Sequence, residues 1–133
     1  MIPVGQEDRM SNRKKAIVVD DDTKTIILVE TILTPLGYDV LSAEEGKKAL
    51  AMVKTEKPDL FICDLLLPGI HGVELVNMIK GDPELEKVKV IAISAVYRQA
   101  NYRLGFDCHA DAFIEKPFGM DELEHLVHKI EKK

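Results

Sequence analysis

The chain of 133 residues contains 46% hydrophobic and 31% charged residues, a composition typical of one globular domain and not of a disordered or fibrous protein. No apolar run approaches the ~20 residues that a membrane helix requires, and the N-terminus lacks the apolar core of a secretory signal. The net charge of −5 argues against direct nucleic-acid binding, which needs a basic surface. We therefore expect a cytoplasmic chain without membrane insertion.

The two cysteines, Cys63 and Cys108, are too few for a disulfide framework and are far from a C-x-x-C spacing. We expect both to be reduced residues in or near the core.

Residues 1–13 show no apolar period and are predicted to form a flexible tail, followed by one domain over residues 14–133. From residue 16 onward, short β-branched runs alternate with segments of helical spacing. The predicted strands are 16–19, 38–41, 60–63, 88–93 and 112–114. The predicted helices are 23–36, 44–55, 73–80, 98–106 and 120–132, with an early end expected for the first because Pro35 lies in its last turn.

This alternation predicts an α/β fold with a doubly wound, five-stranded parallel sheet and helices on both faces. In such sheets, ligands bind outside the carboxyl ends of the strands. The residues that follow each strand are therefore the first candidates for a site.

Polar side chains follow four of the five predicted strands. They are Asp20, Asp21 and Asp22 after the first strand, Asp64 after the third, Ser94 after the fourth and Lys116 after the fifth. Carboxylates placed this close repel one another unless a cation holds them together. Oxygen donors without His or Cys favour a hard ion, so we expect Mg²⁺, with Asp22 serving as a helix cap.

Phosphoryl transfer to a carboxylate suits this set of groups. Asp64 is then the nucleophile, and Lys116 supplies a point charge to the incoming phosphoryl group. Ser94 supplies a short hydroxyl donor to another of its oxygens.

Four segments together resemble the receiver domain of two-component response regulators, in the form of a single domain similar to chemotaxis regulators. The likeness covers about residues 14–132. Its segments are AIVVDDD at 16–22, DLFICDLLLPGIHG at 59–72, IAISA at 91–95 and FIEKPF at 113–118. The resemblance implies a flavodoxin-like (βα)5 fold with strand order 2-1-3-4-5.

The resemblance also implies a role for each site residue. Asp64 is the phosphorylated aspartate, and Mg²⁺ is held by Asp21, Asp64, the backbone carbonyl of Leu66 and, through water, Asp20. Lys116 and Ser94 contact the phosphoryl group.

Other implied features concern switching. Ser94 moves toward the phosphoryl group, and Phe113 occupies the aromatic switch position within the surface formed by the fourth helix, fifth strand and fifth helix. The Lys116–Pro117 peptide bond is expected to be cis.

Three positions depart from the commonest family pattern. His109 stands where many relatives have glycine, so either this residue takes a positive φ or the preceding helix ends differently. Leu66 and Val96 occupy positions that tune phosphoryl lifetime, and neither apolar side chain orients an attacking water. We therefore predict slow self-dephosphorylation and no enzymatic turnover beyond the chain's own phosphorylation chemistry.

The leading hypothesis is a phosphorylation-activated signalling switch that takes a phosphoryl group from a phosphohistidine of a sensor kinase or phosphotransfer protein. The expected partners also include a downstream effector and, after phosphorylation, a second copy of the chain. An aspartate-nucleophile phosphatase is an alternative, but its usual second acid two residues after the nucleophile is Leu66 here. A nucleotide binder lacks a phosphate loop after the first strand, and a phosphorylation-independent adaptor leaves the acid, serine and lysine set unexplained.

Two interpretations of the chain length stay open. The chain is either a stand-alone receiver or a fragment of a longer regulator or hybrid kinase.

Overall fold

The computed structural model describes residues 13–67, 71–94 and 108–132. Its strands are β1 (Lys14–Val19), β2 (Tyr38–Ala43), β3 (Leu60–Asp64), β4 (Lys89–Ser94) and β5 (Ala112–Glu115). The α-helices of the described ranges are α1 (Thr23–Leu33), α2 (Gly46–Glu56), α3 (Gly72–Lys80) and α4 (Met120–Glu131). The predicted helix 98–106, residues 1–12 of the predicted tail and Val96 lie outside the described residues, so α4 corresponds to the fifth predicted helix.

The five strands form one parallel sheet in the order β2-β1-β3-β4-β5. This order confirms the predicted doubly wound sheet. The chain reverses its direction of travel across the sheet between β1 and β3, and the carboxyl ends of these two strands lie side by side there.

Side chains alternate between the two faces of the sheet and produce two apolar clusters. Ile17, Val19 and Phe61 pack on the face covered by α2 and α3, while Ala16, Val18 and Ile62 pack on the face covered by α1 and α4. All six are fully buried. The near-continuous apolar runs of β1, β3 and β4 therefore arise because both of their faces lie under helices.

Helix α1 begins and ends as its sequence indicates. The Asp22 carboxylate caps it by accepting a hydrogen bond from the Lys24 N–H at 3.0 Å. The helix ends at Leu33, Pro35 lies in a 3₁₀ turn, and Gly37 takes the left-handed φ of 98°. The predicted early end is confirmed, because proline cannot continue the α-helical hydrogen bonding.

Of the two alternatives for His109, the structure excludes the positive φ, while the end of the preceding predicted helix lies outside the described residues. Among the described residues, Lys57, at the end of α2, is the non-glycine residue with positive φ, at 47°, and His109 has no such strain. The backbone N–H of His109 instead donates to the Asn77 side chain at 2.8 Å. Glycine is therefore not required at this position.

The cysteines are confirmed as free and buried. Burial is the main cause that raises the pKa of both thiols. Neither thiol therefore has the thiolate character of a reactive cysteine.

Charged residues join β1 and β2 to other parts of the chain at the edge opposite the predicted site. Arg13 donates to the Asp39 carboxylate and to the Tyr38 carbonyl, both at 2.7 Å. Glu131 accepts from Lys14 Nζ at 2.7 Å and from the Tyr38 hydroxyl at 2.6 Å. These contacts tie the end of α4 to the first two strands.

Glu131 is expected to contribute to the decrease in the free energy of unfolding at acidic pH. Burial alone raises its pKa, but hydrogen bonds from Lys14 and Tyr38 outweigh burial and hold the pKa below its usual range. A lowered pKa adds stability above the unfolded-state pKa, and this stability is lost as pH falls through the folded-state pKa. The free energy of unfolding of the wild type should thus exceed that of Glu131→Gln at pH 7, and the gap should close below about pH 4. Urea unfolding at both pH values measures the gap, and one that persists in acid contradicts the assignment.

No helix in the described ranges combines the length and the apolar character needed to cross a bilayer.

Candidate functional site

The register of the sheet places the predicted site residues at one edge. Val19 pairs with Cys63, so Asp20 and Asp64 are the next residues on neighbouring strands. Asp64 pairs with Ile93 of β4, and Ser94 is the residue after Ile93. Ser94 in turn pairs with Glu115, immediately before Lys116. Parallel pairing alone therefore brings the carboxylates, the serine and the lysine to the carboxyl edge.

Three carboxylates form a tight group at this edge. Asp20, Asp21 and Asp64 each offer an oxygen that lies within 4.8 Å of the other two. Asp20 and Asp64 are buried, whereas Asp21 is exposed to solvent. The group is thus a partly open acidic cleft between β1 and β3.

Lys116 supplies the positive charge of the site. Its Nζ lies 2.9 Å from Asp20 Oδ2 and 3.5 Å from Asp64 Oδ2. Burial by itself lowers the pKa of Lys116, but the Asp20 and Asp64 carboxylates outweigh burial and raise it. The amine therefore stays protonated at neutral pH.

The charge of Asp64 is balanced by opposing influences. Burial, the largest influence, raises the pKa of Asp64, and the neighbouring Asp20 raises it further. The Leu66 N–H and the Lys116 amine lower the pKa, but the net shift is upward. The carboxylate thus lies in an environment that disfavours its charged form in the absence of a further cation.

One oxygen of Asp20 points to a missing partner. Within the described ranges, Asp20 Oδ2 is the buried side-chain oxygen that has no hydrogen bond. Lys116 Nζ lies 2.9 Å from it and is its charge partner. The other oxygen of Asp20 accepts from the Asp22 N–H at 2.8 Å. A buried, under-coordinated carboxylate oxygen among two more carboxylates fits a hard divalent cation, and the donor set is the one that Mg²⁺ prefers.

The backbone after Asp64 is held on two sides. The Leu66 N–H donates to Asp64 Oδ1 at 2.9 Å, and the Leu65 N–H donates to the Ile93 carbonyl of β4 at 2.9 Å. The Leu66 side chain itself is 58% exposed. The acceptor carboxylate and the predicted carbonyl ligand therefore belong to one short, hydrogen-bonded segment.

The remaining predicted residues flank this cleft. Ser94 is buried, and its backbone carbonyl accepts from the Lys116 N–H at 2.8 Å. The Lys116–Pro117 peptide bond is cis. Phe113 is half-buried and packs against the apolar cluster under α2 and α3. The fourth predicted helix of the switch surface, residues 98–106, lies outside the described residues.

Gly72, the first residue of α3, lies against the backbone of Asp64 and Leu65, a contact that sequence reasoning missed. An added Cβ at this position would lie 2.3 Å from the Leu65 Cα and 2.6 Å from the Asp64 carbonyl oxygen. Gly72 is the last residue of the family-like segment 59–72, but a sequence does not reveal which backbone atoms a glycine contacts.

A family model for the response regulator receiver domain matches residues 16–128. The chain therefore belongs to the receiver-domain family of response regulators, and the fold and the acidic cluster agree with this membership.

Relatives of known name agree with the assignment. The chain is 32% identical over 117 residues to the alkaline phosphatase synthesis transcriptional regulatory protein PhoP of Bacillus subtilis, covering 88% of this chain and 48% of that protein. It is 34% identical over 110 residues to the phosphate regulon transcriptional regulatory protein PhoB of Pseudomonas aeruginosa, covering 83% and 48%. The chain spans about half the length of these curated relatives.

A solved structure confirms the fold. The crystal structure of a protein assigned as a response regulator in Chloroflexus aurantiacus superimposes with a TM-score of 0.84 at 30% identity, covering 92% of this chain and 100% of that chain.

The acidic cluster yields a prediction with a matched control. Asp21→Asn is expected to weaken Mg²⁺ binding by about tenfold or more, because an exposed charged donor is lost from the cation site. Asp22→Asn removes the same charge one residue away, and asparagine caps a helix as well as aspartate does. Its Mg²⁺ affinity should stay within about twofold of wild type. Calorimetric titration compares the three proteins, and equal losses in both variants would show that the effect is only one of net charge.

Proposed function

We propose that the chain is a phosphorylation-dependent signalling switch of a two-component system, with Asp64 as the phosphoryl acceptor. The observation that carries the proposal is the group formed by Asp20, Asp21, Asp64 and Lys116 at the carboxyl edge of the sheet. Three acids gathered around a protonated amine suit the binding of a cation and an anionic phosphoryl group side by side.

The proposed reaction transfers a phosphoryl group from a phosphohistidine of a sensor kinase or phosphotransfer protein. An Asp64 carboxylate oxygen forms a bond to phosphorus while the phosphorus–nitrogen bond breaks, and its electron pair returns to the imidazole, which takes a proton from solvent. Asp21, Asp64 and the Leu66 carbonyl, with Asp20 acting through water, would hold Mg²⁺, which would neutralise part of the phosphoryl charge.

The side chains of Lys116 and Ser94 complete the acceptor site in this proposal. The Lys116 amine reaches the Asp64 carboxylate at 3.5 Å and pairs with the negative charge that the carboxylate gains. The Ser94 hydroxyl, at the end of β4, donates to another phosphoryl oxygen and moves toward it. Movement of Ser94 is coupled to Phe113 on the adjacent β5. It changes the relative populations of the conformations of the surface around Phe113.

A downstream effector protein or domain reads that surface, and a phosphorylation-dependent homodimer is a second outcome of the same shift. We place the switch in the cytoplasm, where phosphohistidine donors and Mg²⁺ are available. Direct nucleic-acid contact by these residues is not part of the proposal, because the chain carries a net charge of −5.

Phosphatase activity on small esters is disfavoured by Leu66. This side chain is apolar and 58% exposed beside the nucleophile, so it offers no proton to a leaving group. An adaptor that works without phosphorylation is disfavoured by the buried charges of Asp20 and Asp64, which are costly to retain without a use.

The proposal is tested on the wild-type protein with acetyl phosphate as donor. Intact mass should show the gain of one phosphoryl group per chain when Mg²⁺ is present and a much slower gain after chelation by EDTA. Continuous release of inorganic phosphate from p-nitrophenyl phosphate would favour the phosphatase, and no mass gain under any condition would favour the adaptor.

Phosphorylated protein is expected to lose its phosphoryl group slowly. Leu66 lies beside Asp64 and cannot orient a water for attack. Leu66→Asn introduces a polar group there and should accelerate the loss by up to about 10²-fold. Met78→Asn is the control, because Met78 is also an exposed apolar residue, at 44%, and should leave the rate unchanged. Decay of the phosphorylated mass measures the rate, and a wild-type half-life of seconds contradicts the prediction.

A further inference from the structure

The start of α3 is pressed against the backbone that carries the acceptor. Gly72 is buried, and its N–H donates to the Leu65 carbonyl at 3.2 Å. The Cβ of any other residue at this position would lie 2.3 Å from Leu65 Cα, 2.7 Å from the Leu65 carbonyl carbon and 2.6 Å from the Asp64 carbonyl oxygen. All three are backbone atoms, so no side-chain rotation relieves the overlap.

We infer that Gly72 is a positioning residue, whose missing side chain lets α3 hold the Asp64–Leu66 segment in the geometry that binds Mg²⁺ and accepts the phosphoryl group. The inference rests on the proposed function. It adds a requirement outside the acid, serine and lysine set, namely close approach of a helix backbone from behind the acceptor strand.

The surrounding hydrogen bonds show why this contact matters for the site. The segment is held by β4 through the Leu65 N–H and Ile93 carbonyl, and by α3 through the Gly72 N–H and Leu65 carbonyl. The next amide, that of Leu66, donates to Asp64 Oδ1. A shift of Leu65 therefore moves both the Asp64 carboxylate and the Leu66 carbonyl relative to Asp20 and Asp21 on β1.

A methyl group at position 72 forces one of two changes. Either α3 moves away and breaks the hydrogen bond to the Leu65 carbonyl, or the Asp64–Leu65 backbone moves away from α3. The first change removes one of the two backbone hydrogen bonds that hold Leu65, and the second displaces the acceptor segment itself. Misplacement of about 1 Å costs as much as 10²-fold in rate at a preorganised site.

Alanine is intrinsically a better helix former than glycine, by about 1 kcal/mol. A loss seen in Gly72→Ala therefore does not come from helix propensity. Two controls share the glycine-to-alanine change. A Cβ at Gly81, the residue that follows the same helix, would lie 3.1 Å from the Asn77 carbonyl oxygen, and a Cβ at Gly119 would meet nothing within 4 Å.

The test combines Mg²⁺ binding, measured by calorimetry with no donor present, and phosphorylation by acetyl phosphate at saturating Mg²⁺. Gly72→Ala is expected to bind Mg²⁺ at least about tenfold more weakly and to be phosphorylated up to about 10²-fold more slowly. Gly81→Ala and Gly119→Ala should match the wild type in both. A variant with reduced thermal stability but wild-type Mg²⁺ affinity and rate would mean a structural role only and would overturn the inference.

Failure of the proposed function is distinguishable from failure of this inference. If the wild type gains no phosphoryl group, the proposed function fails while the Mg²⁺ titration still tests Gly72. If the wild type is phosphorylated and Gly72→Ala equals it in both measurements, the inference alone fails.

The wild-type protein decides the question if Gly72→Ala lacks the native circular dichroism spectrum. Because coupling between two sites is reciprocal, Mg²⁺ binding must strengthen the contact on which it depends. Hydrogen exchange of the Gly72 amide should therefore slow on addition of Mg²⁺, relative to the Gly81 amide, which donates to the Asn77 carbonyl. An unchanged ratio of the two exchange rates overturns the inference.

Discussion

Replacement of Asp64 by asparagine is expected to abolish the gain of a phosphoryl group from acetyl phosphate. An amide oxygen carries no full negative charge and does not form a stable bond to phosphorus, so the acceptor is lost rather than weakened. The fold should survive, because burial and the neighbouring Asp20 already raise the pKa of Asp64 and disfavour its charge. Removal of that charge should leave the free energy of unfolding, measured without Mg²⁺, equal to or above that of wild type.

Asp59, beside the other end of the same strand, provides a matched control. Asp59 precedes β3, and its carboxylate accepts from the Lys15 N–H at 2.8 Å at the opposite edge of the sheet. Asp59→Asn removes an equal charge and keeps an acceptor oxygen for that N–H. Intact mass should show full phosphorylation of Asp59→Asn and none of Asp64→Asn. Equal phosphorylation of both variants places the acceptor elsewhere.

Replacement of Lys116 by methionine is expected to slow phosphorylation by roughly 10²–10³-fold, the usual cost of losing one group that stabilises charge in the transition state. The variant should also be less stable without Mg²⁺. Lys116 Nζ is the cation 2.9 Å from the fully buried Asp20 carboxylate. Its loss leaves that carboxylate uncompensated, at a cost of about 3 kcal/mol. Lys116→Met is thus expected to lower the free energy of unfolding, whereas Asp64→Asn is not.

Lys24→Met provides the charge control for this variant. Lys24 is exposed at the start of α1 and neighbours Lys116 across a shallow groove. The Lys24→Met variant should retain the wild-type rate of phosphorylation and the wild-type midpoint of urea unfolding. Rate constants from intact mass and unfolding midpoints without Mg²⁺ compare the two substitutions. A Lys116→Met variant with wild-type rate and stability would remove the amine from the proposed site.

The fold, and the edge of the sheet that carries the site, could be predicted from the sequence because the end of each buried strand is visible in it. β1, β3 and β4 are buried on both faces, so each is an apolar run, and its end is visible where a polar residue follows. Parallel strands end at a common edge, and the register therefore turns Asp20, Asp64 and Ser94 into neighbours. Pro35 and Gly37 likewise marked the end of α1 through their restricted and permissive backbones.

Contacts that depend on three-dimensional packing were not visible in the same way. The ion pair between Lys116 and Asp20 depends on a side-chain direction, and sequence reasoning had paired this lysine only with the phosphoryl group. The approach of Gly72 to Leu65 depends on where a helix lands. A positive φ at His109 was one of two alternatives, and the sequence did not show that the His109 N–H would donate to the Asn77 side chain without such a φ.

The central claim is that a divalent cation allows Asp64, and no other residue, to accept a phosphoryl group. Its most direct test is reduction of the acetyl phosphate-treated wild-type protein with sodium borodeuteride, which converts an aspartyl phosphate into deuterated homoserine, followed by peptide mass mapping. The account predicts homoserine at position 64 in samples with Mg²⁺ and only traces after EDTA treatment. Homoserine at another aspartate, or equal conversion at position 64 with and without Mg²⁺, would contradict it.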